Sequence, residues 1–351
     1  MFLVGPGVKA WLSGAQTIAT RLGQRFATPP RESRVDSPSQ RLGARVGSPL
    51  GIGTEANGLA GDDRTPMDST GIPMHAVTPE ERDQFEKLGF FTRLNLFSET
   101  ELQAIRVAAE SVHQRVVDAA DRKSDAPGPG SPENPSVGPV DQVDNQKYQE
   151  ILGSTIKWEW DDDLRAVRSM EPVFQLDDRL AGVIDDPRLW KPCADIIGCP
   201  TLSLFSDKLN VKRPGGAPFP WHQEGPYWAY GAEDLERVIT LILYLDDASV
   251  ENGCLWIIPG THKYGPLESL KDRGTLGRLY TDVEQLEEKP IPMDLPAGSV
   301  GFFHRDIVHG SQTNRTEENR RAYLLAYQPA GLHQWRNGEQ RDIKTNGSGQ
   351  A

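Results

Sequence analysis

Cysteine is scarce in this chain: three in 351 residues, at Cys193, Cys199 and Cys254. An odd count without zinc-type spacing supports neither a disulfide framework nor a structural zinc, so the thiols read as small core residues of an intracellular protein. Basic side chains are short too, with 38 Lys plus Arg against 50 Asp plus Glu and a formal net charge of −12. Like charge repels phosphate backbones and anionic lipid at long range, which argues against nucleic acid and membrane surfaces as partners. Long apolar runs are also missing; nothing approaches the roughly 18 residues that a membrane span requires. What is there is 37% hydrophobic, enough to bury a core.

The charge is unevenly spread. Residues 1–75 carry eight basic and six acidic side chains, a net +2, so the rest carries −14. No acid precedes Glu32, and Leu12, Ile18, Leu22 and Phe26 recur at roughly helical spacing. An arginine-bearing, acid-poor start has the make-up of a mitochondrial leader and equally of a weakly basic tail, so the expected location is organellar or cytoplasmic. Gly, Pro and Ser then dominate to Pro73 without apolar periodicity, the composition of a linker. The expected organisation is a leader and linker over 1–75, a single domain over 76–335 and a polar tail over 336–351.

Within the domain, Thr78-Pro-Glu-Glu81 places a cap, a proline and a reciprocal acid at the start of a helix ending near Gly89. A short strand follows at Phe90. Ser98 with Glu101 opens a second helix, whose buried stripe is Leu102, Ile105, Val112 and Val116. The stretch 122–145, rich in Pro and Gly, predicts a flexible loop. Residues 171–198 read helical again. After Pro200 the pattern changes to short strands, at Leu202–Val211, Val238–Leu245, Cys254–Ile258, Met293–Leu295, Ser299–His304 and Ala322–Gln328. Helices followed by strands predict a mainly β fold with flanking helices, its antiparallel core closing as a jelly roll.

The chemistry concentrates at Trp221-His222-Gln223-Glu224. On a strand, residues i and i+2 share a face, so one imidazole and one carboxylate can hold the same ion. A second imidazole, His309, arrives 87 residues later beside Gly310. Two histidines and a carboxylate are the facial triad of non-haem Fe(II) oxygenases, with three coordination positions open: two for a bidentate 2-oxo acid and one for O₂. Alone, a His-x-Glu pair is a weak signal, since such residues commonly face solvent or satisfy a hydrogen bond. Arg320, 11 residues past His309, strengthens it. Strand alternation puts Arg320, Ala322, Leu324 and Ala326 on one face. An inward guanidinium needs an anionic partner, and a carboxylate matches its fork best; a solvent-facing arginine at a strand edge is the alternative.

Together, Trp221-His-Gln-Glu224, Asn252-Gly-Cys-Leu-Trp-Ile-Ile-Pro-Gly-Thr-His262, His309-Gly-Ser311, Asn314-Arg and Arg320-Arg resemble the phytanoyl-CoA dioxygenase family, over roughly residues 76–330. The resemblance implies a cupin-like double-stranded β-helix using Fe(II), 2-oxoglutarate and O₂. It implies His222, Glu224 and His309 as iron ligands, and Arg320 with Ser311 on the distal carboxylate of 2-oxoglutarate. Asn210 and Trp228 match positions that contact this cosubstrate. Pro259–His262 matches a structural turn, and His304 a packing position. Trp221, Tyr227, Trp228 and Trp256 read either as walls of a substrate pocket or as core. The implied activity hydroxylates or desaturates an unactivated C–H of a small molecule, releasing succinate and CO₂.

One departure stands out: relatives most often carry aspartate where this chain has Glu224, whose extra methylene must fold back to reach the same ion. Retention of a carboxylate argues against halogenation. A degenerate β-barrel binding protein and a cupin-type metal-only hydrolase are the competing readings, and the second has no use for an inward Arg320. The −14 body argues against a polyanionic substrate such as an acyl-CoA.

Overall fold

The computed structural model of the chain describes residues 75–121, 137–143, 146–159, 166–228, 232–267, 269–270 and 280–345. The expected leader, most of the expected loop and the end of the tail lie outside these residues. Helix α1 (Pro79–Leu88) has the reciprocal cap its sequence predicts: Thr78 Oγ1 accepts from the Glu81 amide, and the Glu81 carboxylate from the Thr78 amide. It stops at Gly89, where φ is +85° and a Cβ would lie 2.5 Å from the His262 ring. Only glycine meets both conditions. Strand β1 (Phe90–Arg93) follows, then α2 (Glu99–Asp121), capped by Ser98 and Glu101, with Leu102, Ile105, Val112 and Val116 all buried.

Four strands come next, β2 (Val137–Val143), β3 (Gln146–Ile151), β4 (Ser154–Trp158) and β5 (Val167–Glu171), then helices α3 (Asp178–Ile184) and α4 (Pro187–Ile197). The barrel begins with β6 (Leu202–Lys212) and β7 (Phe219–His222), then the single turn α5 (Gly225–Trp228), β8 (Ile239–Tyr244) and β9 (Leu255–Ile258). A ribbon of β10 (Ser269–Leu270) and β11 (Tyr280–Thr281) precedes β12 (Ile291–Pro292), β13 (Val300–His304), β14 (Val308–Ser311) and β15 (Arg320–Pro329).

These strands form a major sheet, ordered β1-β13-β8-β15-β6-β5-β4-β3-β2, and a minor sheet, β12-β9-β14-β7. From β6 to β9, and again from β12 to β15, successive strands alternate between the sheets. That alternation is the winding of a double-stranded β-helix, so the jelly-roll core read from the sequence is the fold.

Two cores result. The outer face of the major sheet packs Leu209, Leu243, Tyr323 and Leu325 against Leu102, Val112, Leu180 and Leu189 of the helices. Between the sheets, Ile242, Tyr244, Ile257, Phe303 and Ala322 fill one end of the barrel. Tyr323 and Tyr327 anchor the helical layer, donating to Asp207 Oδ2 and the Ile184 carbonyl at 3.0 and 2.8 Å.

Two expectations need correction. Residues 137–143 are a strand, not part of a loop, and with β3–β5 they extend the major sheet by a four-strand meander. Its inner face carries Tyr148, Lys157, Ser169 and Glu171, so the pattern lacks the apolar alternation that marks a barrel strand, and Pro139 sits on the edge strand, where it is tolerated. The strand expected at Met293–Leu295 lies two residues earlier, with Leu295 making only an isolated bridge to Ala248. Among the described residues no helix is long and apolar enough to cross a membrane.

Candidate active site

His222 ends β7 and His309 lies on β14, and the two strands pair so that these residues are direct cross-strand partners. Opposite residues of an antiparallel pair share a face, so both rings enter the barrel; their centroids are 4.3 Å apart. Glu224 follows β7 immediately and folds its longer arm back over them. Its Oε1 lies 3.8 Å from His222 Nε2 and 3.6 Å from His309 Nε2. The three donor atoms fall within 4.8 Å of one another.

Main-chain carbonyls orient the rings. His222 Nδ1 donates to the Pro220 carbonyl at 2.6 Å and His309 Nδ1 to that of Ile307 at 3.0 Å, in each case two residues earlier. The tautomer thus assigned leaves each Nε2 lone pair directed at Glu224, the usual way a ligating imidazole is held. Burial, reinforced by the neighbouring His309 ring, makes His222 harder to protonate. Burial alone would push the Glu224 carboxyl up, but hydrogen bonds from His222 and His309, when Nε2 carries a proton, and the charge of Lys208 hold it well below the ordinary carboxylate range. An ionised carboxylate and a neutral imidazole are the forms a divalent cation needs. Gly310 lets the minor sheet close here, since a Cβ would come 2.9 Å from the Phe219 carbonyl and 3.2 Å from the Trp221 indole. Trp221 and Trp256 flank Gly310 on the outer face of this sheet, which settles both as packing residues.

The facing wall carries positive charge. Arg320 on β15 pairs directly with Lys212 on β6, and each is only 2% exposed. Arg320 Nη2 donates to the Gly253 carbonyl at 2.9 Å, while its Nε has no partner among the described residues. Lys212 Nζ reaches across to Ser311 Oγ at 2.8 Å and also donates to the Gln312 carbonyl. Burial, then the field of Arg320, pulls Lys212 down to about 5. Asn210 projects on the same face two residues earlier, its Oδ1 buried and unpartnered among the described residues. Arg320 and Asn210 therefore share the inner face of the major sheet, and Ser311 on the minor sheet is joined to that face through Lys212.

Trp228 does not join them. It packs edge-on to Phe205 at 5.0 Å, in a cluster with Val238 and Ala326. Ala326 is six residues along β15 from Arg320, roughly 20 Å at strand rise, so Trp228 belongs to the opposite end of the barrel. His262 and His304 lie against each other, tilted, at 5.3 Å, away from the triad: His262 lies against the Glu86 carbonyl and His304 accepts from the Asp306 amide. Asn252 and Asn314 build turns, bonding to Asp247 and Ser249, and to Lys212 and Glu318 respectively. Lys212 was the residue missed; Leu-Asn-Val-Lys212 places it on the face of Asn210, a period-two signal present in the sequence.

Two histidines and a carboxylate inside a double-stranded β-helix, facing a buried arginine, are the architecture of the 2-oxoglutarate-dependent oxygenases. The chain belongs to the phytanoyl-CoA dioxygenase (PhyH) family, whose model matches residues 85–322. It is 34% identical over 132 residues to methylphosphonate hydroxylase of Gimesia maris, a match covering 38% of this chain and just under half, 47%, of that protein. A probable phytanoyl-CoA dioxygenase of Caenorhabditis elegans is 26% identical over 282 residues, 75% of this chain and 79% of that one. The crystal structure of EctD from S. alaskensis with 2-oxoglutarate and 5-hydroxyectoine superposes with a TM-score of 0.53 at 19% identity, over 72% of this chain and 77% of that one. That likeness is one of fold.

Proposed function

We propose that this protein is an Fe(II)- and 2-oxoglutarate-dependent dioxygenase that hydroxylates an unactivated C–H of a small molecule, with succinate and CO₂ as co-products. The observation that carries the reading is the convergence of His222 Nε2, His309 Nε2 and Glu224 Oε1 opposite the buried Arg320. Nitrogen and oxygen donors of this number suit Fe(II) and leave room for further ligands. When bound, the iron supplies the oxygen chemistry that no side chain can perform.

The chain's own residues hold, orient and exclude. The Pro220 and Ile307 carbonyls fix both imidazoles before any ion arrives, which lowers the reorganisation needed on binding. Arg320 presents an unmatched buried charge, stabilised when a carboxylate fills its fork. Ser311 and Asn210 offer further polar contacts to the same molecule, and Lys212, held neutral by burial and Arg320, adds an amine that hydrogen-bonds Ser311. The approach of the Glu224 carboxylate to both rings supports reading it as a ligand in place of the usual aspartate.

Anaerobic titration of the purified protein with Fe(II) and then 2-oxoglutarate tests this. A weak visible absorption band that needs both additions, and succinate formation on admitting air, are expected. Absence of both would favour a binding protein without turnover.

A further inference from the structure

Beyond the triad, the inner face of the major sheet continues onto the meander. Tyr148, Lys157, Ser169 and Asn210 form one row of cross-strand partners from β3 to β6. Lys208 is the next residue on that face of β6, opposite Leu324. Both lysines are half-buried. Lys157 Nζ rests 5.5 Å from the centre of the Tyr148 ring. Neither amine has a hydrogen bond or an ion pair among the described residues; burial holds Lys157 well below the ordinary lysine range, and the acids whose fields reach the two, Glu159, Glu171 and Glu224, are engaged elsewhere. Glu171 accepts from Ser206 and Arg336, and Glu159 pairs with Arg168.

Strand spacing locates these charges relative to the triad. Lys212, level with Ser311, marks the cosubstrate end of the barrel. Lys208 lies four residues from it along β6, roughly 13 Å, whereas His309 is two residues from Ser311, roughly 7 Å. The triad therefore sits between the two ends, and Lys208 lies beyond it. Lys157 is two strands away from Asn210, so the lysine Cα atoms are roughly 12 Å apart, a span their long side chains close onto one group. The field of Lys208 reaches both Glu224 and Lys157, which agrees with this placement.

Resting on the dioxygenase reading, we propose that the substrate carries an oxyanion, a carboxylate, phosphonate or sulfonate, held by Lys157 and Lys208 on the far side of the triad from Arg320. A half-buried lysine without an ion pair is costly to keep charged, and an anionic ligand is what offsets that cost. The net −14 outside the leader does not oppose this, because the patch is local and a small anion meets only the field inside the barrel. Tyr148 and the apolar cluster around Trp228 would bound the rest of the molecule.

The test is calorimetric titration of the full chain, without metal, using methylphosphonate, propionate and methanesulfonate, with dimethyl methylphosphonate and propionamide as neutral counterparts. At least one anion binds and its neutral counterpart does not; the tightest of the three identifies the group. Lys157→Met and Lys208→Met each weaken that binding by about tenfold or more, whereas Lys87→Met on the exposed face of α1 leaves it unchanged. The lysine variants also unfold at equal or higher temperature than the parent, since each removes a half-buried amine that has no ion pair; Lys208→Gln repeats the measurement should a methionine variant fail to fold. Binding by none of the anions, or binding lost in Arg320→Leu and kept in the lysine variants, overturns the proposal. Anion binding without Fe(II)-dependent succinate formation would instead overturn the dioxygenase reading and leave the anion site standing.

Discussion

The minor sheet contributes His222 and His309, both oriented by main-chain carbonyls, with Glu224 just after β7. The major sheet contributes Arg320 and Lys212, and further along Lys208 and Lys157, all basic side chains. One wall is built to receive a positive ion, the other to receive anions. The contrast extends to how each wall is held. The imidazoles are satisfied locally, each by a carbonyl two residues away, whereas Arg320 and Lys212 reach to other segments, at Gly253, Ser311 and Gln312. Metal affinity should therefore respond to changes in its own strands, and cosubstrate affinity to how the two sheets pack.

Removing a donor from the minor sheet breaks this division most severely. His309→Ala is expected to abolish iron retention through gel filtration and to lower succinate formation by more than about 100-fold, beyond what loss of an outer hydrogen-bond partner costs. Arg320→Leu tests the opposite wall. Iron content should be kept while the KM for 2-oxoglutarate rises by the equivalent of about 2–5 kcal/mol, the cost of truncating one member of a buried charge pair. Equal iron loss in both variants would show that the walls do not act separately.

How far the site was legible follows the same boundary. The barrel strands announced themselves because each buries an apolar face, and His222, Glu224 and Arg320 could be placed by period-two alternation on or beside them. The meander was unreadable for the reason that makes it interesting: its inner face is polar, so Lys157 and Ser169 gave no apolar period, and Pro139 looked like loop. Trp228 shows the limit of proximity in sequence. Four residues separate it from Glu224, yet the turn α5 carries it into the cluster of Phe205 and Ala326, far from Arg320. Whether an aromatic lines a pocket depends on which face of a sheet it occupies, and for Trp221 and Trp256 that was decided by the close approach of β7 to Gly310.

A smaller change sharpens the picture of the cation-binding wall. Glu224→Asp shortens the arm by one C–C bond, about 1.5 Å, while the backbone, tied by the Gly225 amide to the Arg305 carbonyl at 3.0 Å, resists following it. Iron affinity measured by competition with a chelator should fall by about tenfold, the lower range for disturbing a ligand's support. Unchanged or tighter binding would show that the longer side chain carries no adaptation to this site.

The smallest effect separates the two faces of the major sheet. Asp207 lies on β6 between Ser206 and Lys208, points to the helical side and is 1% exposed. Burial raises its carboxyl to about 7, although the Val173 and Phe174 amides and the Tyr323 hydroxyl donate to it. A carboxyl raised above its unfolded value near 3.9 binds its proton more tightly in the native state, so stability falls as pH rises from about 4 to about 7 and levels off above. Asp207→Asn keeps an acceptor for those donors and cannot ionise. Its melting temperature should decline less than the parent's across that window, leaving it the more stable of the two at pH 8 by a few degrees. Binding of the tightest of the three anions on the opposite face should be unaltered. Parallel melting curves would mean that Asp207 ionises as easily folded as unfolded, and that the helical face of the sheet tolerates charge as well as the barrel face does.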